Sequence, residues 1–347
     1  MAVCLIGLGS NVGHRRQTLE RAVAGLAEHP LVRVLALSSW FPTLPIGGPP
    51  GQAPFLNAAA TLETSLGPEA LLAVLHQIET RLGRRRLQHW GPRSVDLDLL
   101  LYDRVVSEGP RLVLPHPRMA WRRFVLEPAA EVAPAMLHPT TGWTIARLLD
   151  HLNTAPPYVA LAGPIGVGKT HLAAALAGHG AAERIAEQVD VAQLERFYAD
   201  PSGNAWEMEI QFLRQRARLL GADQPRWSRR RLAVSDFWFE QSLAFAGVWL
   251  PPGRREEFEQ LWREAARDIV QPKLIVLLDA PLEHLLDRIR RRGRPCEVGL
   301  GPEVLERIRR AILDRAGRPG CGPVLRLAFD EPRRAMDEVL AALEAMK

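Results

Sequence analysis

Two aspartates spaced two residues apart form the first segment that could do chemistry. Asp96 and Asp98 alternate with the apolar residues Val95, Leu97 and Leu99. Successive side chains of a strand point to opposite faces, so both carboxylates share one face and the apolar side chains share the other. Like charges at this spacing repel each other, and a hard cation such as Mg²⁺ would relieve the repulsion. The pattern alone fits a metal site and a solvated edge strand equally well.

A glycine-rich segment at residues 163–170 suggests phosphate binding. It follows the apolar run Tyr158–Ala162, which predicts a strand, and it precedes a helical pattern rich in Ala and Leu. A strand, a glycine-rich loop ending in Gly-Lys-Thr and a helix form the P-loop, whose backbone N–H groups cradle phosphates. We expect Lys169 to reach the β- and γ-phosphates and Thr170 to hold Mg²⁺. The predicted ATP-binding residues of this segment are Gly163, Gly166, Gly168, Lys169 and Thr170.

The elements around these segments predict two domains. A chain of 347 residues with 47% hydrophobic residues can bury two cores. The first part alternates as β-α-β-β-α-β, which is typical of a ferredoxin-like α+β sheet with helices on one face. The part after residue 158 predicts a parallel sheet covered by helices on both faces. The pattern breaks at a proline-containing stretch, so we predict domains at 1–152 and 158–347 with a linker at 153–157.

The local patterns predict the elements that hold the aspartate pair. Strands are expected near residues 3–7, 32–39 and 57–64, and a helix is expected at residues 15–29. A second helix at Pro68–Arg81 begins with proline, which is favoured in the first turn. The segment 42–54 is dense in Pro and Gly and predicts a loop.

Composition narrows the class of protein. The formal charge of +5 is mild, and arginines cluster at residues 84–86, 229–231 and 290–292. Such clusters attract anions such as nucleotide phosphates, and the absence of a nucleic-acid-binding motif leads us to expect no nucleic-acid partner. The three widely spaced cysteines predict neither a disulfide framework nor a zinc site. Without an apolar run of membrane-spanning length or a signal peptide, we expect no membrane association and a cytoplasmic location.

The first domain resembles the 6-hydroxymethyl-7,8-dihydropterin pyrophosphokinase family, which acts in folate biosynthesis. The resemblance rests on several motifs at the family spacing: Gly9-Ser10-Asn11, Phe55-Leu56-Asn57-Ala58-Ala59, Glu79, Gly83-Arg84, Trp90-Gly91-Pro92-Arg93, Asp96-x-Asp98, and Leu114-Pro115-His116-Pro117-Arg118-Met119 followed by Arg122 and Phe124. It implies that ATP donates a pyrophosphoryl group to the hydroxymethyl oxygen of the pterin and that AMP leaves.

The resemblance also implies a role for each motif residue. Asp96 and Asp98 would hold two Mg²⁺ ions that bridge the triphosphate and the attacking oxygen, and Arg84 and Arg93 would act in catalysis by neutralising phosphate charge. The implied pterin contacts are Thr43, Pro45, Phe55, Asn57 and Phe124. The implied ATP contacts are Glu79, Arg86, Trp90, Arg111, His116 and Arg122. Because no protein nucleophile is needed, catalysis would rest on positioning and charge neutralisation.

The second domain resembles the deoxynucleoside kinase family of P-loop phosphotransferases. The resemblance implies that Glu187 takes the proton of a nucleoside 5′-hydroxyl and that Asp236 helps to hold the single Mg²⁺ at the P-loop. The arginine-rich run after residue 287 resembles a lid over the transferred phosphate, in which Arg294 would be catalytic. The remaining implied contacts are Arg288 and Arg292 to ATP and Glu297 to the sugar. Relatives of this family imply a homodimer formed through the second domain.

Three positions depart from the kinase family. Glu209 stands where relatives carry a base-reading Gln, Phe237 stands where an Arg is common, and Ser242-Leu243 replaces an Asp-Arg pair. The sequence therefore leaves open which deoxynucleoside is accepted, and it leaves open two alternatives to deoxynucleoside turnover. The domain would then be a nucleotide-sensing module without catalysis, or a P-loop kinase for another small acceptor. Oligomeric state and coupling between the two sites are also left open.

Overall fold

The structure is a computed structural model that describes residues 1–84, 91–179, 182–229, 231–297 and 299–347. It divides into two compact units. Unit 1 contains Met1–Asn153 together with Leu340–Lys347, and unit 2 contains Thr154–Val339. The domain bounds expected from the sequence, 1–152 and 158–347, stay a prediction. The two units differ from these bounds because the last eight residues belong to unit 1.

Unit 1 is built on an antiparallel sheet of five strands. The strands are β1 (Ala2–Ser10), β2 (Val32–Leu37), β3 (Phe41–Thr43), β4 (Phe55–Thr64) and β5 (Asp96–Tyr102). Their order is β2-β4-β1-β5, and β3 also pairs with β4. In the central register Gly9 of β1 lies between Asn57 of β4 and Asp96 of β5. The predicted antiparallel α+β fold of this part is confirmed.

Helices cover the apolar face of this sheet. The helices of unit 1 are α1 (Arg15–Ala27), α2 (Pro68–Arg81), α3 (Arg123–Val132) and α4 (Ile145–Thr154), and two short hairpins are formed by β6 (Ser107–Glu108) with β7 (Val113–Leu114) and β8 (Leu137–His138) with β9 (Trp143–Thr144). Leu19 and Leu26 of α1 join Leu71 and Leu75 of α2 in one buried cluster with the strand residues. Leu97 and Leu99 of β5 belong to the same cluster, so Asp96 and Asp98 lie on the opposite face of that strand.

Two expected boundaries are wrong. Residues 42–54 are not loop throughout, because Phe41–Thr43 is a strand whose Thr43 pairs with Phe55. Proline is tolerated there because the strand lies at an edge of the sheet. The first helix ends at Ala27, two residues before the predicted end, and Glu28 N–H closes it on the Ala24 carbonyl.

Unit 2 is an α/β domain with a parallel sheet. Its strands are β10 (Tyr158–Ala162), β11 (Ala182–Ile185), β12 (Leu232–Ser235), β13 (Leu274–Asp279) and β14 (Val324–Ala328). All neighbouring pairs are parallel in the order β11-β12-β10-β13-β14. Every residue of β10 is buried, as expected for a central strand covered on both faces. The predicted α/β fold with a parallel sheet is confirmed, and the sheet has five strands.

The helices of unit 2 connect these strands. They are α5 (Lys169–Gly178), α6 (Val191–Ala199), α7 (Pro201–Leu220), α8 (Gln241–Trp249), α9 (Pro252–Ala265), α10 (Leu282–Arg292), α11 (Pro302–Ala316) and α12 (Pro332–Ala345), of which the last part, from Leu340, belongs to unit 1. Asp200 caps α7 by accepting a hydrogen bond from Gly203 N–H at 3.1 Å, which fixes where this long helix begins. Among the helices within the described ranges, none combines the length and the apolar character needed to cross a bilayer.

Candidate active sites

The first candidate site is centred on Gly9, where three strands bring polar side chains together. A Cβ atom placed on Gly9 would lie 3.1 Å from Asn57 Oδ1 and 3.8 Å from Asp96 Cβ. Glycine therefore leaves the space between the amide and the carboxylate open. Asp98 pairs with Gly7 two residues along β1, so Asp98 shares the face of Asp96. The sequence prediction that the two aspartates lie on one face agrees with this register.

Two arginines converge on Asp96. Arg84 Nη2 lies 2.6 Å from Asp96 Oδ1, and Arg93 Nη1 bonds Asp96 Oδ2. Arg84 also bonds Glu79 Oε1, and the same oxygen accepts a hydrogen bond from Leu97 N–H at 2.7 Å. Glu79 is buried with 2% exposure. Its carboxylate connects α2 to Arg84 and to the backbone of β5.

A loop clamp that the sequence reasoning gave no role holds Arg93 in place. Asn11 Oδ1 accepts a hydrogen bond from Arg93 N–H at 2.7 Å, and Asn11 N–H donates to the Arg93 carbonyl at 3.0 Å. Ser10 Oγ donates to the Ser94 carbonyl at 2.6 Å. The Gly9-Ser10-Asn11 motif pointed to a functional role for Asn11. Its hydrogen-bond partner Arg93 could not be predicted, because it lies 82 residues away in sequence.

His116 and Arg122 extend the cationic side of this site. Loss of hydration and the neighbouring Arg122 and Arg118 guanidinium groups lower the pKa of His116 to about 3. His116 Nδ1 accepts a hydrogen bond from Arg118 N–H at 3.2 Å, so the neutral ring carries its proton on Nε2 and offers a donor. Burial lowers the pKa of Arg122 to about 10, with opposing attraction from Asp98 and Asp96.

Arg122 links this charged region to an aromatic side chain. Its guanidinium lies 5.4 Å from the centroid of the Phe124 ring. Phe124 and Phe55 are both half-buried, unlike the sealed apolar residues of the core. Asn57 Nδ2 donates to Thr43 Oγ1 at 2.7 Å, which fixes the orientation of the amide. These are the surfaces expected to hold and read a flat heterocycle.

The other predicted contacts of this site are placed as follows. Pro45 lies half-buried in the loop after β3. Arg111 is exposed in the hairpin between β6 and β7 and is not brought onto the aspartate pair by any bond shown for the described residues. Arg86 and Trp90, two further predicted ATP contacts, fall outside the described residues.

The donor set fits hard divalent cations shared with a phosphate ligand. Burial and the nearby Asp98 carboxylate raise the pKa of Asp96, while Arg93 and Arg84 oppose the shift. Within the described part of unit 1, the carboxylate of Asp98 forms no hydrogen bond or ion pair, while its charge acts on Asp96 and Arg122. Over the ranges that the structure describes, no group of three or more His, Cys, Asp or Glu side chains could hold a metal ion. Mg²⁺ bound by only two carboxylates would need oxygen ligands from phosphate and water, which is the usual arrangement in ATP sites.

The second candidate site lies at the P-loop after β10. Gly163 has a φ of +143°, and a Cβ there would lie 2.4 Å from the Leu278 carbonyl oxygen, so no other residue fits without displacing backbone. Lys169 Nζ donates to the Gly163 and Pro164 carbonyls at 2.7 and 3.0 Å. Loss of hydration lowers the pKa of Lys169 to about 8, although the Glu187 and Asp236 carboxylates favour its charged form.

Glu187 is held in place by two partners, Asp236 and Arg216. Its backbone N–H donates to Asp236 Oδ1 at 3.0 Å, and Arg216 Nε donates to Glu187 Oε1 at 2.6 Å. Arg216 also donates from Nη1 to Ser242 Oγ at 2.7 Å and is almost fully buried. Arg216 was not assigned a role from the sequence. Its position on α7, seven residues after Glu209, was the available signal, because two helical turns place both on one face.

Two predicted residues of the second site make structural contacts. Arg288 donates to the Val167 carbonyl at 3.1 Å and to the Phe329 carbonyl at 2.7 Å, so it braces the P-loop. Asp236 Oδ2 accepts from Arg184 at 2.9 Å, so both its oxygens are engaged.

The other predicted residues surround the phosphate side of this site. Thr170 is exposed in the first turn of α5, while Gly166 and Gly168 lie in the loop before it. Glu297 is buried and pairs with Arg292 and with Arg294, the latter at 3.4 Å. The arginine-rich end of α10 is thereby connected to the residue expected to contact a sugar.

The comparisons with known proteins match two parts of the chain to two families. Residues 5–134 match the family model described as 7,8-dihydro-6-hydroxymethylpterin-pyrophosphokinase (HPPK). A relative from Synechocystis sp., named 2-amino-4-hydroxy-6-hydroxymethyldihydropteridine pyrophosphokinase, is 38% identical over 181 residues, which are 51% of this chain and 92% of that relative. The chain belongs to the HPPK family. In it, the N-terminal HPPK domain is fused to a C-terminal domain of the deoxynucleoside kinase family, whose model matches residues 159–316.

Further relatives of the HPPK domain are similar over most of their own length. A protein of the same name from Bacillus subtilis is 48% identical over 130 residues, covering 38% of this chain and 77% of that relative. One from Methylorubrum extorquens is 44% identical over 153 residues, covering 44% of this chain and 95% of that relative.

Solved structures are similar to the chain at lower identity. The deoxyadenosine kinase from M. mycoides with bound dATP is 17% identical with a TM-score of 0.47, covering 52% of this chain and 96% of that chain. The same kinase with bound dCTP is 15% identical with a TM-score of 0.44, covering 52% of this chain and 95% of that chain.

Proposed function

We propose that the chain is a bifunctional transferase with two separate ATP-dependent activities. The HPPK domain transfers a pyrophosphoryl group from ATP to 6-hydroxymethyl-7,8-dihydropterin and releases AMP. The kinase-family domain transfers the γ-phosphoryl group of ATP to the 5′-hydroxyl of a deoxynucleoside and releases ADP. The observation that carries the first activity is the row Asn57, Gly9 and Asp96 across three paired strands, with Arg84 and Arg93 bound to Asp96.

The first reaction follows from the arrangement around that row. The pterin would stack on the half-buried rings of Phe55 and Phe124 while Asn57, oriented by Thr43, reads its edge. The hydroxymethyl oxygen forms a bond to the β-phosphorus of ATP, the bond from that phosphorus to the bridging oxygen of AMP breaks, and the hydroxyl proton is released. Arg84 and Arg93 compensate the charge that develops on the phosphate oxygens.

The aspartates complete this site. Asp96 and Asp98 would hold two Mg²⁺ ions, which supply Lewis-acid stabilisation of the phosphate charge when bound. His116 would donate from Nε2 to the nucleotide, because its neutral ring accepts at Nδ1. Arg122 would reach the same phosphate region, since both aspartates attract its charge.

The second reaction uses a carboxylate held for proton removal. Glu187, fixed by Arg216 and by its N–H bond to Asp236, would take the proton of the acceptor hydroxyl. The hydroxyl oxygen bonds to the γ-phosphorus, the β–γ bridging bond breaks, and ADP leaves with Lys169 near its phosphates. Arg294 and Arg292 would neutralise the transferred phosphoryl group, and Thr170 with Asp236 would hold one Mg²⁺.

Separate assays of the two products test these activities. With ATP and 6-hydroxymethyl-7,8-dihydropterin, the full chain should form AMP in step with the pterin diphosphate. With ATP and each of the four deoxynucleosides, it should form ADP in step with a nucleoside monophosphate. If no deoxynucleoside raises the rate of ADP formation above the rate without an acceptor, the kinase proposal is refuted and a nucleotide-sensing role is favoured. We also propose dimerisation through the kinase-family domain, which light scattering would refute by giving the mass of a monomer.

A further inference from the structure

Arg123 is a charged residue at the start of α3 that the proposed mechanism does not use. Its guanidinium is three-quarters buried and binds three partners. Nη1 donates to Asn153 Oδ1 at 2.8 Å and to Glu127 Oε1 at 3.2 Å, and Nε donates to the Met346 carbonyl at 3.3 Å. One side chain therefore connects three separate parts of unit 1.

Two of these parts are separated in sequence by the whole kinase-family domain. The first stretch of unit 1 ends at Asn153, and the chain returns to unit 1 at Leu340. Unit 2, Thr154–Val339, is therefore inserted into unit 1. The HPPK family model matches residues 5–134, so both segments bound by Arg123 lie outside the part of the chain that carries the family motifs.

The returning segment, Leu340–Lys347, is well packed. Ala342 is fully buried, and Ala345 and Met346 are also buried. Spacings of three and four residues place these side chains on one face of the helix. The last turn is closed by the Met346 N–H, which donates to the Ala342 carbonyl at 3.2 Å. A buried face and a closed turn indicate that the segment is an integral part of unit 1.

The start of α3 depends on contacts of this kind. Within the described residues, Arg122, which precedes the helix, makes no capping hydrogen bond through its side chain. A capping side chain would otherwise stabilise the first turn. Arg123 anchors that turn from the side instead, because it joins the turn to the end of α4 through Asn153 and to the returning segment through Met346.

The first turn of α3 carries two of the predicted ligand contacts. Phe124 follows Arg123 directly, and its half-buried ring is the proposed platform for the pterin. Arg122 precedes Arg123, and its guanidinium lies 5.4 Å from the centroid of the Phe124 ring. A shift of this turn would move both side chains, and small displacements of a ligand contact weaken binding or slow the reaction.

We propose that Arg123 is a positioning residue for the HPPK reaction and that the segment Leu340–Lys347 completes the HPPK domain. Arg123 acts through its neighbours: it fixes Phe124 and Arg122 by joining the start of α3 to the two segments that flank unit 2 in sequence. The inference rests on the proposed pyrophosphoryl transfer at the first site.

Steady-state kinetics of AMP formation by the full chain tests the positioning role. Arg123→Met should raise the KM for 6-hydroxymethyl-7,8-dihydropterin about 10-fold and change kcat by less than about 3-fold. The KM for ATP should rise less, because Asp98 and Asp96 also attract Arg122. Arg123→Lys keeps a charged group with three donors and should hold the KM for the pterin within about 3-fold of wild type.

Arg16→Met is the matched control for these measurements. Arg16 pairs with Glu20 on α1 at the same i,i+4 spacing as Arg123 and Glu127. Its replacement removes an equivalent pair within one helix of unit 1 and should leave both KM values unchanged.

A double-mutant cycle tests the contact between Arg123 and Asn153. Asn153→Ala should raise the KM for the pterin by about 3-fold. The double variant should match Arg123→Met within about 2-fold, because the second change removes a contact that is already lost. Effects that multiply in the double variant would show that the two residues act independently, and they would overturn this contact as the cause.

Hydrogen exchange tests the role of the returning segment without an activity readout. Arg123→Met should speed amide exchange of residues 340–347 and of the first turn of α3 by about 10-fold, because both lose a shared anchor. Arg16→Met should leave both rates unchanged. If residues 340–347 exchange equally fast in wild type and Arg123→Met, the role of this segment at α3 is wrong.

Three kinetic outcomes would overturn the inference in distinguishable ways. If the wild type forms AMP and Arg123→Met leaves both KM values unchanged, the positioning role is wrong while pyrophosphoryl transfer stands. If Arg16→Met raises the KM for the pterin as much as Arg123→Met does, the effect reflects helix stability and the positioning role is again wrong. If the wild type forms no AMP with the pterin, the proposed first activity itself fails.

Discussion

Arginine has different tasks in the two sites. In the HPPK domain Arg84 and Arg93 bind the two oxygens of Asp96, and we propose that both guanidinium groups face the phosphates of ATP. In the kinase-family domain Arg216 is buried and orients Glu187, the proposed base. In the proposed mechanism the first site would use arginine to neutralise transferred charge, whereas the second would use one arginine to position a carboxylate and others as a lid. Two phosphotransfer sites on one chain can thus divide positioning and charge compensation differently.

The two sites also differ in how closely they follow their families. In the HPPK domain the motif residues Gly9, Asn57 and Asp96 lie in one row across three paired strands. In the kinase-family domain the P-loop residues are present, whereas Glu209, Phe237 and Ser242 are the positions that the sequence predicts to depart from the family pattern. Arg216 contacts two of these positions, bonding Ser242 Oγ at 2.7 Å and lying 5.9 Å from the ring centroid of Phe237, and its charge acts on the third, Glu209. A substitution in one domain should therefore lower formation of that domain's product and leave the product of the other domain unchanged.

The largest expected effect is loss of the first activity in Asp98→Ala. Removing this carboxylate leaves one aspartate for the cations, so AMP formation should fall by about 1,000-fold or more. Asp96→Ala should have a similar effect. Chromatographic measurement of AMP against time checks this, with deoxynucleoside-dependent ADP formation as the internal control. Near-normal AMP release in the double variant would refute the metal assignment.

The reciprocal loss is expected in Lys169→Met. Without the ammonium group, ADP formation with a deoxynucleoside should fall by about 1,000-fold, since the phosphates lose their principal side-chain cation in the loop. AMP formation with the pterin should be unchanged. A parallel fall in both products would contradict the separation of the two activities.

A smaller effect is expected from the aromatic platform of the HPPK site. Phe124→Ala should raise the KM for the pterin by about 10- to 100-fold, because stacking of a flat ring on an aromatic side chain is lost. The KM for ATP should change little. Initial rates at varied pterin and varied ATP separate the two constants, and an equal rise in both would assign Phe124 to packing instead of stacking.

The smallest effect is a change in the pH dependence of stability. Burial raises the pKa of Glu209 from an ordinary value of 4.5 to about 8, with Glu187 adding to the rise and Arg216 opposing it; the phenol of Tyr198 lies in the same cluster. A raised carboxyl pKa gives stability that is full below 4.5 and is lost as pH rises toward 8, because the folded state holds a proton that the unfolded state has released. Glu209→Gln removes this titrating group. The thermal midpoint of the variant minus that of the wild type should therefore be about 2–4 °C larger at pH 8 than at pH 5.

Calorimetry of both proteins from pH 5 to pH 9 gives this comparison. Curves that stay parallel over the whole range would show that Glu209 does not titrate in this window. Glu207→Gln serves as the control because Glu207 is exposed on the same helix.

The sequence was sufficient where function lies in consecutive residues. Strand alternation placed Asp96 and Asp98 on one face, and the P-loop motif located Lys169 after a buried strand, because both features are local. Sequence reasoning also anticipated both fold classes from the order of helical and strand patterns. It missed the short strand Phe41–Thr43, since Pro and Gly dominate the surrounding segment and edge strands tolerate proline.

Contacts between distant segments could not be predicted in the same way. Arg216 meets Glu187 across 29 residues, and Asp236 holds the Glu187 N–H across 49 residues. Such pairings depend on how α7 packs near the ends of the parallel strands, which no local pattern specifies. The same applies to Asn11, whose clamp on Arg93 depends on the register of β1 with β5.

The most direct test of the account is the identity of the adenine nucleotide formed with each acceptor. Wild-type protein is incubated with ATP and either the pterin or a deoxynucleoside, and AMP and ADP are measured together with the modified acceptor. The account predicts AMP in equal amount to pterin diphosphate, and ADP in equal amount to nucleoside monophosphate. Formation of ADP and pterin monophosphate, without AMP, in the wild type with the pterin would contradict the assignment of pyrophosphoryl transfer to the Asp96 and Asp98 site.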